Sequence, residues 1–249
     1  MNGYLKNLNK MEFIITYACT GRCKHCSQGD HTNLGRQIDS DIMSYAIRFV
    51  AKKYDIQTVM TFGGEPLMYP EAVYKIHTAA RDMKVPRRQL ITNGYFTKDI
   101  QKITNVADEL HDCGVNDILL SVDAFHQETI PLDAVRVFAD KVKERGIHIS
   151  LQPAWLVSRD DNNRYNKKTR EILHSFSDLN IPIGEGNVIF PEGNAKKYLS
   201  DYFSDSQPEN PYVEDPLDVK CLSFSPDGDV LNGNVYRQGI SEIILNYRP

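Results

Sequence analysis

Apolar and β-branched residues gather in short runs at Phe13–Thr16, Thr58–Phe62, Gln89–Thr92, Asp117–Val122, Ile147–Leu151 and Val188–Phe190, the lengths expected of buried strands. Between them the apolar positions switch to helical spacing: Ile42, Ala46, Ile47, Val50 and Tyr54; Val73, Ile76, Ala80 and Met83; Ile100, Ile103, Val106 and Leu110; Val135, Phe138, Ala139 and Val142. The residues just past the middle four strands, Gly64, Asn93, Asp123 and Gln152, are 29, 30 and 29 apart, one strand-helix unit per step. Pro70 and Pro131 suit the first turns of the second and fourth helices, and a further helix is predicted over Tyr165–Phe176.

Six such units make an α/β fold, a parallel sheet covered by helices, either an open doubly wound sheet or an incomplete (β/α)6 barrel of the TIM type. In both, chemistry belongs at the C-terminal ends of the strands. The polar and glycine-rich residues fall there: Gly63-Gly64-Glu65, Thr92-Asn93-Gly94, Ser121-Val122-Asp123 and Gln152. From about Tyr198 the pattern lapses. Ser204–Pro216 reads as a Pro- and acid-rich connector, and Cys221–Val230 alternates around an Asp-Gly turn, which predicts a terminal β-hairpin. The expected division is a barrel over 1–203 and a connector with hairpin over 204–249, both in one domain.

Composition narrows the class. The 249 residues are 41% hydrophobic and 25% charged with a net charge of -4, enough apolar material for a core. The longest uninterrupted apolar run, Ala154–Val157, is far short of the roughly 20 residues that span a bilayer. Neither a signal-peptide stretch at the start nor a prenylation box at the end is present, so a cytoplasmic protein without a membrane partner is expected. With 29 basic against 33 acidic residues and no long block of either sign, no nucleic-acid partner is indicated.

Five cysteines are an odd number, and three of them, Cys19, Cys23 and Cys26, lie within eight residues directly after the first strand. Clustered thiols without a secretory signal read as metal ligands or redox groups in a reducing compartment. Three thiolates on one short loop can each hold one iron of a cubane cluster, leaving the fourth iron open, and an open metal position is where a substrate binds. The same loop, completed by His25 or His31, could instead hold a structural zinc. Cys113, where a helix returns to the far end of the sheet, is expected to be inert packing. Trp155 and Tyr17 could line the mouth or pack.

Over residues 11 to about 190 the chain resembles the radical S-adenosylmethionine (SAM) enzymes. Two motifs carry the resemblance in order: a Cys-x3-Cys-x-aromatic-Cys loop after strand one, with His25 at the aromatic position, and Gly63-Gly64-Glu65-Pro66 after strand two. The resemblance implies a single [4Fe-4S] cluster on Cys19, Cys23 and Cys26 that cleaves SAM to methionine and a 5'-deoxyadenosyl radical, which abstracts a substrate hydrogen. It further implies that Gly63 and Gly64 let the strand end approach the methionine moiety and that Glu65 offsets its ammonium. Asn93, Ser121 and Asp123 fall where the family places ribose and sulfonium contacts, His25 meets the adenine through its backbone, and Val188 packs against it. A reducing partner such as a flavodoxin or ferredoxin is implied as well.

The tail from Cys221 to Val230 resembles the opening of the SPASM extension of peptide-modifying relatives, but Cys221 stands alone, so an auxiliary cluster cannot be built there in the ordinary way. Read as a shortened SPASM-like cap over the mouth, the tail favours modification of a peptide or protein residue, with Cys221 either a catalytic hydrogen-atom donor or a residual cysteine packed under the hairpin. The alternatives are small-molecule chemistry on a nucleoside or cofactor precursor and, in another class, a non-catalytic zinc- or cluster-binding protein.

Overall fold

A computed structural model describes residues 2–30, 36–203 and 210–249, so His31 and the first part of the connector lie outside the described residues. Its centre is a six-stranded parallel sheet in the order β5-β4-β3-β2-β1-β8. Strands β1 (Lys10–Ile14), β2 (Thr58–Phe62), β3 (Arg87–Thr92), β4 (Asp117–Ser121) and β5 (His148–Gln152) alternate with helices α1 (Ser40–Ala51), α2 (Pro70–Asp82), α3 (Ile100–Asp112) and α4 (Leu132–Glu144). Local chemistry marks the starts: Asp39 caps α1 through the amides of Asp41 and Ile42, Asp99 caps α3, and Pro70 opens α2, while Pro131 stands just before α4. After β5 follow β6 (Ala154–Trp155), α5 (Arg164–His174), β7 (Asn187–Val188) and α6 (Gly193–Tyr198).

The two faces of the sheet differ as the strand period requires. Thr61 Oγ1 meets His77 Nε2 of α2 at 2.9 Å, which identifies the helix-covered face. That face carries Met11, Phe13, Val59, Leu90, Leu120 and Leu151, all fully buried. The opposite, inner face presents Ile14, Phe62, Ile91 and Leu119, each partly exposed, toward the C-terminal ends of the strands. Its lower half is polar, with Lys10, Glu12, Gln89 and Asp117.

Two expectations are corrected. The sixth strand, predicted over Val188–Phe190, is not in the main sheet: β7 pairs with β6 in a separate two-stranded ladder. The segment before it does run beside β5, since Leu151 N donates to Pro182 O at 2.9 Å and Gly184 N to Leu151 O at 2.8 Å. Pro153 and Pro182 lack the amide that would continue the ladder, so the edge breaks there.

The terminal hairpin is likewise replaced. Cys221–Phe224 is β8, an edge strand lying parallel on β1 with Lys10 opposite Cys221 and Phe13 opposite Phe224, the two rings stacked at 4.9 Å. The Asp227-Gly228 turn exists, with Gly228 N donating to Ser225 O at 3.0 Å, but it passes the chain to a small ribbon of β9 (Asp229–Val230) and β10 (Gly233–Asn234). Helix α7 (Ile240–Asn246) closes the chain against α1. Alternation in Cys221–Phe224 is what any half-buried strand shows, and it does not name the partner. No described strand joins β5 to β8, so the barrel is open.

Candidate active site

The chain leaves β1 through Thr16, whose Oγ1 donates to Arg36 O at 2.8 Å and accepts from Ala18 N at 3.0 Å, fixing the start of the cysteine loop. The end of β2 clamps the same loop from the side: Gly64 N donates to Thr16 O and Glu65 N to Ala18 O, both at 2.8 Å. The approach is so close that a Cβ on Gly64 would lie 2.0 Å from Ala18 O, and one on Gly63, which holds φ +140, 2.6 Å from Thr16 O. Both glycines therefore serve backbone-to-backbone packing of the motif on the cysteine loop.

Glu65 is fully buried and ties three elements together. Its Oε1 accepts from Leu67 N at 2.9 Å and Thr92 Oγ1 at 2.7 Å, and its Oε2 from Asn93 N at 2.9 Å. Burial pushes its carboxyl up to about 7, against the lowering by these donors. Asn93, positioned by that bond, reaches back to the loop with Nδ2 3.6 Å from Cys19 Sγ and 3.2 Å from Thr20 Oγ1.

The three cysteines converge. Cys19 also accepts from Gly21 N at 3.3 Å, and its thiol is pushed up to about 12, first by burial and then by Glu65. Burial likewise raises Cys23 and Cys26, with Asp123 and Cys19 adding to the effect at Cys23. The back of the loop is held by α6: Asn194 N donates to Cys26 O at 2.9 Å and its Nδ2 to Cys23 O at 3.2 Å. A Cβ on Gly193 would meet Ser27 O at 2.4 Å. Three desolvated thiols beside carboxylates are poor thiolates on their own and become good ones against a cation, which is the donor set an iron-sulfur cluster needs.

Asp123 is buried, with both carboxylate oxygens occupied by donors from the protein. Its Oδ1 accepts from Phe125 N and His126 N, and its Oδ2 from Ala154 N and the His126 ring at 2.8 Å. Although burial opposes it, the His126 partner holds the Asp123 carboxyl far below its ordinary range and, in turn, Asp123 raises His126. His25 lies with its ring 5.0 Å from that of Phe125 and 4.8 Å from that of His126, and burial lowers its imidazole to about 4. Ser121 sits half-buried on the inner face beside Gln152, and Val188 pairs with Trp155 in the side ladder.

Cys221 is on the inner face but at the wrong end. It opens β8 opposite Lys10, four residues below Ile14, or about 13 Å along a strand from where the cysteine loop begins. Among the described residues, then, the structure brings together Cys19, Cys23, Cys26, His25, Glu65, Asn93 and Asp123, and separates Cys221 from them. The sequence reading missed Thr16, Thr20, His126 and Asn194. Of these only His126 had a signal, the Asp-x-x-His spacing directly after a strand.

A family model for the Radical SAM superfamily matches residues 13–190. A probable GTP 3',8-cyclase of Saccharolobus islandicus is 26% identical over 216 residues, 78% of this chain and 64% of its own length. The GTP 3',8-cyclase of Syntrophomonas wolfei is 25% identical over 232 residues, 91% of this chain and 58% of its own. The chain thus spans less than two thirds of the curated relatives it matches. In fold it is similar to SuiB of Streptococcus suis bound to S-adenosylmethionine (TM-score 0.62, 12% identity, 98% of this chain and 66% of that one). It is similar also to anSMEcpe with bound AdoMet (TM-score 0.60, 12% identity, 96% and 80%). With the match covering most of the chain, and with a [4Fe-4S] cluster and SAM as the cofactors it brings, this protein belongs to the radical SAM superfamily of enzymes.

Proposed function

We propose that this enzyme holds its cluster on Cys19, Cys23 and Cys26 and acts on a small molecule bound over the inner face of the sheet. When bound, the cluster and SAM supply the 5'-deoxyadenosyl radical that takes a hydrogen from the substrate. The chain's own part is to seat the cysteine loop through Gly64, Glu65 and Asn194 and to present an inner face to the substrate. The similarity to GTP 3',8-cyclases, whose substrate is a small molecule, carries this reading over the peptide alternative. The peptide reading rests on the tail over Cys221–Val230, and the first part of it, Cys221–Phe224, is an edge strand of the sheet.

The inner face also bears on the kind of small molecule. Nearest the cysteine loop it offers apolar Ile14, Phe62, Ile91 and Leu119 with the neutral Ser121 and Gln152. Below, its cations are already matched: Lys10 meets Glu12 at 2.9 Å, and Arg87 meets Asp117 at 2.6 Å. Asp117 also accepts from Gln89 at 2.7 Å and lies 3.0 Å from His148 Nδ1. The face nearest the cysteine loop therefore suits a substrate with an apolar reacting end.

The test uses anaerobically reconstituted protein with SAM and dithionite, reading 5'-deoxyadenosine and deuterium transfer into it from deuterated extracts. A low-molecular-weight metabolite fraction is expected to stimulate cleavage and a peptide fraction to leave it at background. Stimulation by a peptide fraction only would overturn this reading in favour of the peptide one.

A further inference from the structure

Beside the cysteine loop, three side chains from two segments converge in a way the cluster does not use. The ligand atoms of Cys23, His25 and His126 all lie within 4.8 Å of one another. His25 Nδ1 is buried without a hydrogen-bond partner, although polar atoms out of water are normally paired. His126 is oriented from behind: Asp123 Oδ2 contacts its Nδ1 at 2.8 Å, leaving Nε2 as the free ring atom. A buried carboxylate holding the second nitrogen of an imidazole is the arrangement that sets the tautomer and aim of a metal-ligating histidine.

We propose that Cys23, His25 and His126 form a mononuclear site for a divalent ion of zinc's type, which excludes the iron-sulfur cluster by occupying Cys23. Tetrahedral zinc with bonds of about 2.0–2.3 Å to nitrogen and sulfur spaces its ligand atoms by roughly 3.3–3.8 Å. The three groups therefore close on the ion by side-chain rotations of about an ångström, and water or a neighbouring thiolate takes the fourth place. One thiolate and two imidazoles suit zinc, whereas the cluster takes all three thiolates and neither histidine. The two occupants share only Cys23 of this set, so the site has two mutually exclusive metal states. The mononuclear site stands on its own geometry; the exclusion rests on the cluster assignment above.

The experiment separates the two. Cluster-free protein, prepared anaerobically with its thiols reduced, is titrated with Zn(II) and with Co(II), and iron-sulfide reconstitution is measured separately on the same variants. The parent is expected to bind one equivalent of zinc, to give the intense visible bands of tetrahedral thiolate-bound cobalt, and to take up iron more slowly once zinc is loaded. His126→Ala, and His25→Phe, which keeps an aromatic ring against Phe125, are expected to weaken zinc by at least about tenfold while iron loading persists. Cys19→Ala is expected to do the reverse, losing the cluster and keeping zinc. Zinc binding as tight in both histidine variants as in the parent, or no stoichiometric binding in the parent, overturns the mononuclear site. Failure of the parent to take up iron overturns the cluster reading and leaves the zinc result intact.

Discussion

Glu65 shows how a single side chain couples the two motifs. Its carboxylate joins the turn after β2 to Thr92 and Asn93 at the end of β3, and Asn93 in turn touches Cys19. Its carboxyl is raised by burial from an ordinary 4.5 to about 7, so the folded protein binds this proton more tightly than the unfolded chain does. The stability associated with the protonated form is complete below about pH 4.5 and is lost as pH rises to about 7, by up to about 3 kcal/mol. Glu65→Gln removes the titration. Thermal melts of parent and variant are expected to draw apart in the variant's favour between these pH values and to run parallel above them. A constant difference across the range would show that Glu65 titrates as an exposed carboxyl does.

At the scale of elements, the Gly63-Gly64 turn and the cysteine loop behave as one packed unit. Gly64→Ala puts a Cβ 2.0 Å from a backbone oxygen that cannot rotate away, so the loop must shift. A loss of about 1–3 kcal/mol is expected together with reduced iron per chain; unchanged melting and iron content with weakened SAM binding would instead return the glycine to the cofactor.

The same elements show what was legible in the chain. Strands β2 and β4 and helices α1 to α5 are legible from local period, with Thr58–Phe62 matching β2 to the residue, whereas the short α6 and α7 are not. The first strand was read from Phe13 because Lys10 and Glu12, facing the polar half of the inner face, hide its beginning. The cysteine triplet and Gly63-Gly64-Glu65 were legible as motifs because their chemistry lies in residue type and spacing. Asn194 and Thr16 were not, since each works through bonds to backbone atoms of a loop whose position only the fold determines. Asp123 is legible from its position after a strand, but its pairing with His126 and the amides of Phe125, His126 and Ala154 is set by the fold.

For the whole molecule, the decisive fact is which end of the sheet a group occupies. Cys221 lies at the base of the inner face, its thiol raised by burial beyond Glu12's further contribution, and so it is a protonated, enclosed group well below the cysteine loop. Cys221→Ser is expected to leave 5'-deoxyadenosine formation unchanged and to lower stability by about 1 kcal/mol. A change in the product formed from a turned-over substrate would show that the thiol reaches the radical after all. No described helix is long and apolar enough to cross a membrane.

The parallel seat of β8 on β1 has a consequence for how the protein is made. Asn7 bonds Asp218 across 211 residues of sequence, and Phe13 waits as long for the ring of Phe224. During synthesis the first strand emerges early, yet its outer edge stays without a partner until the ribosome has released residue 224. Contacts of such span slow folding, and an unpaired strand edge invites association between nascent chains. The loop that follows β1 is thus flanked by an incomplete sheet while the next two hundred or so residues are made, so metal delivered during that interval meets thiols and imidazoles before the finished architecture can discriminate among ions.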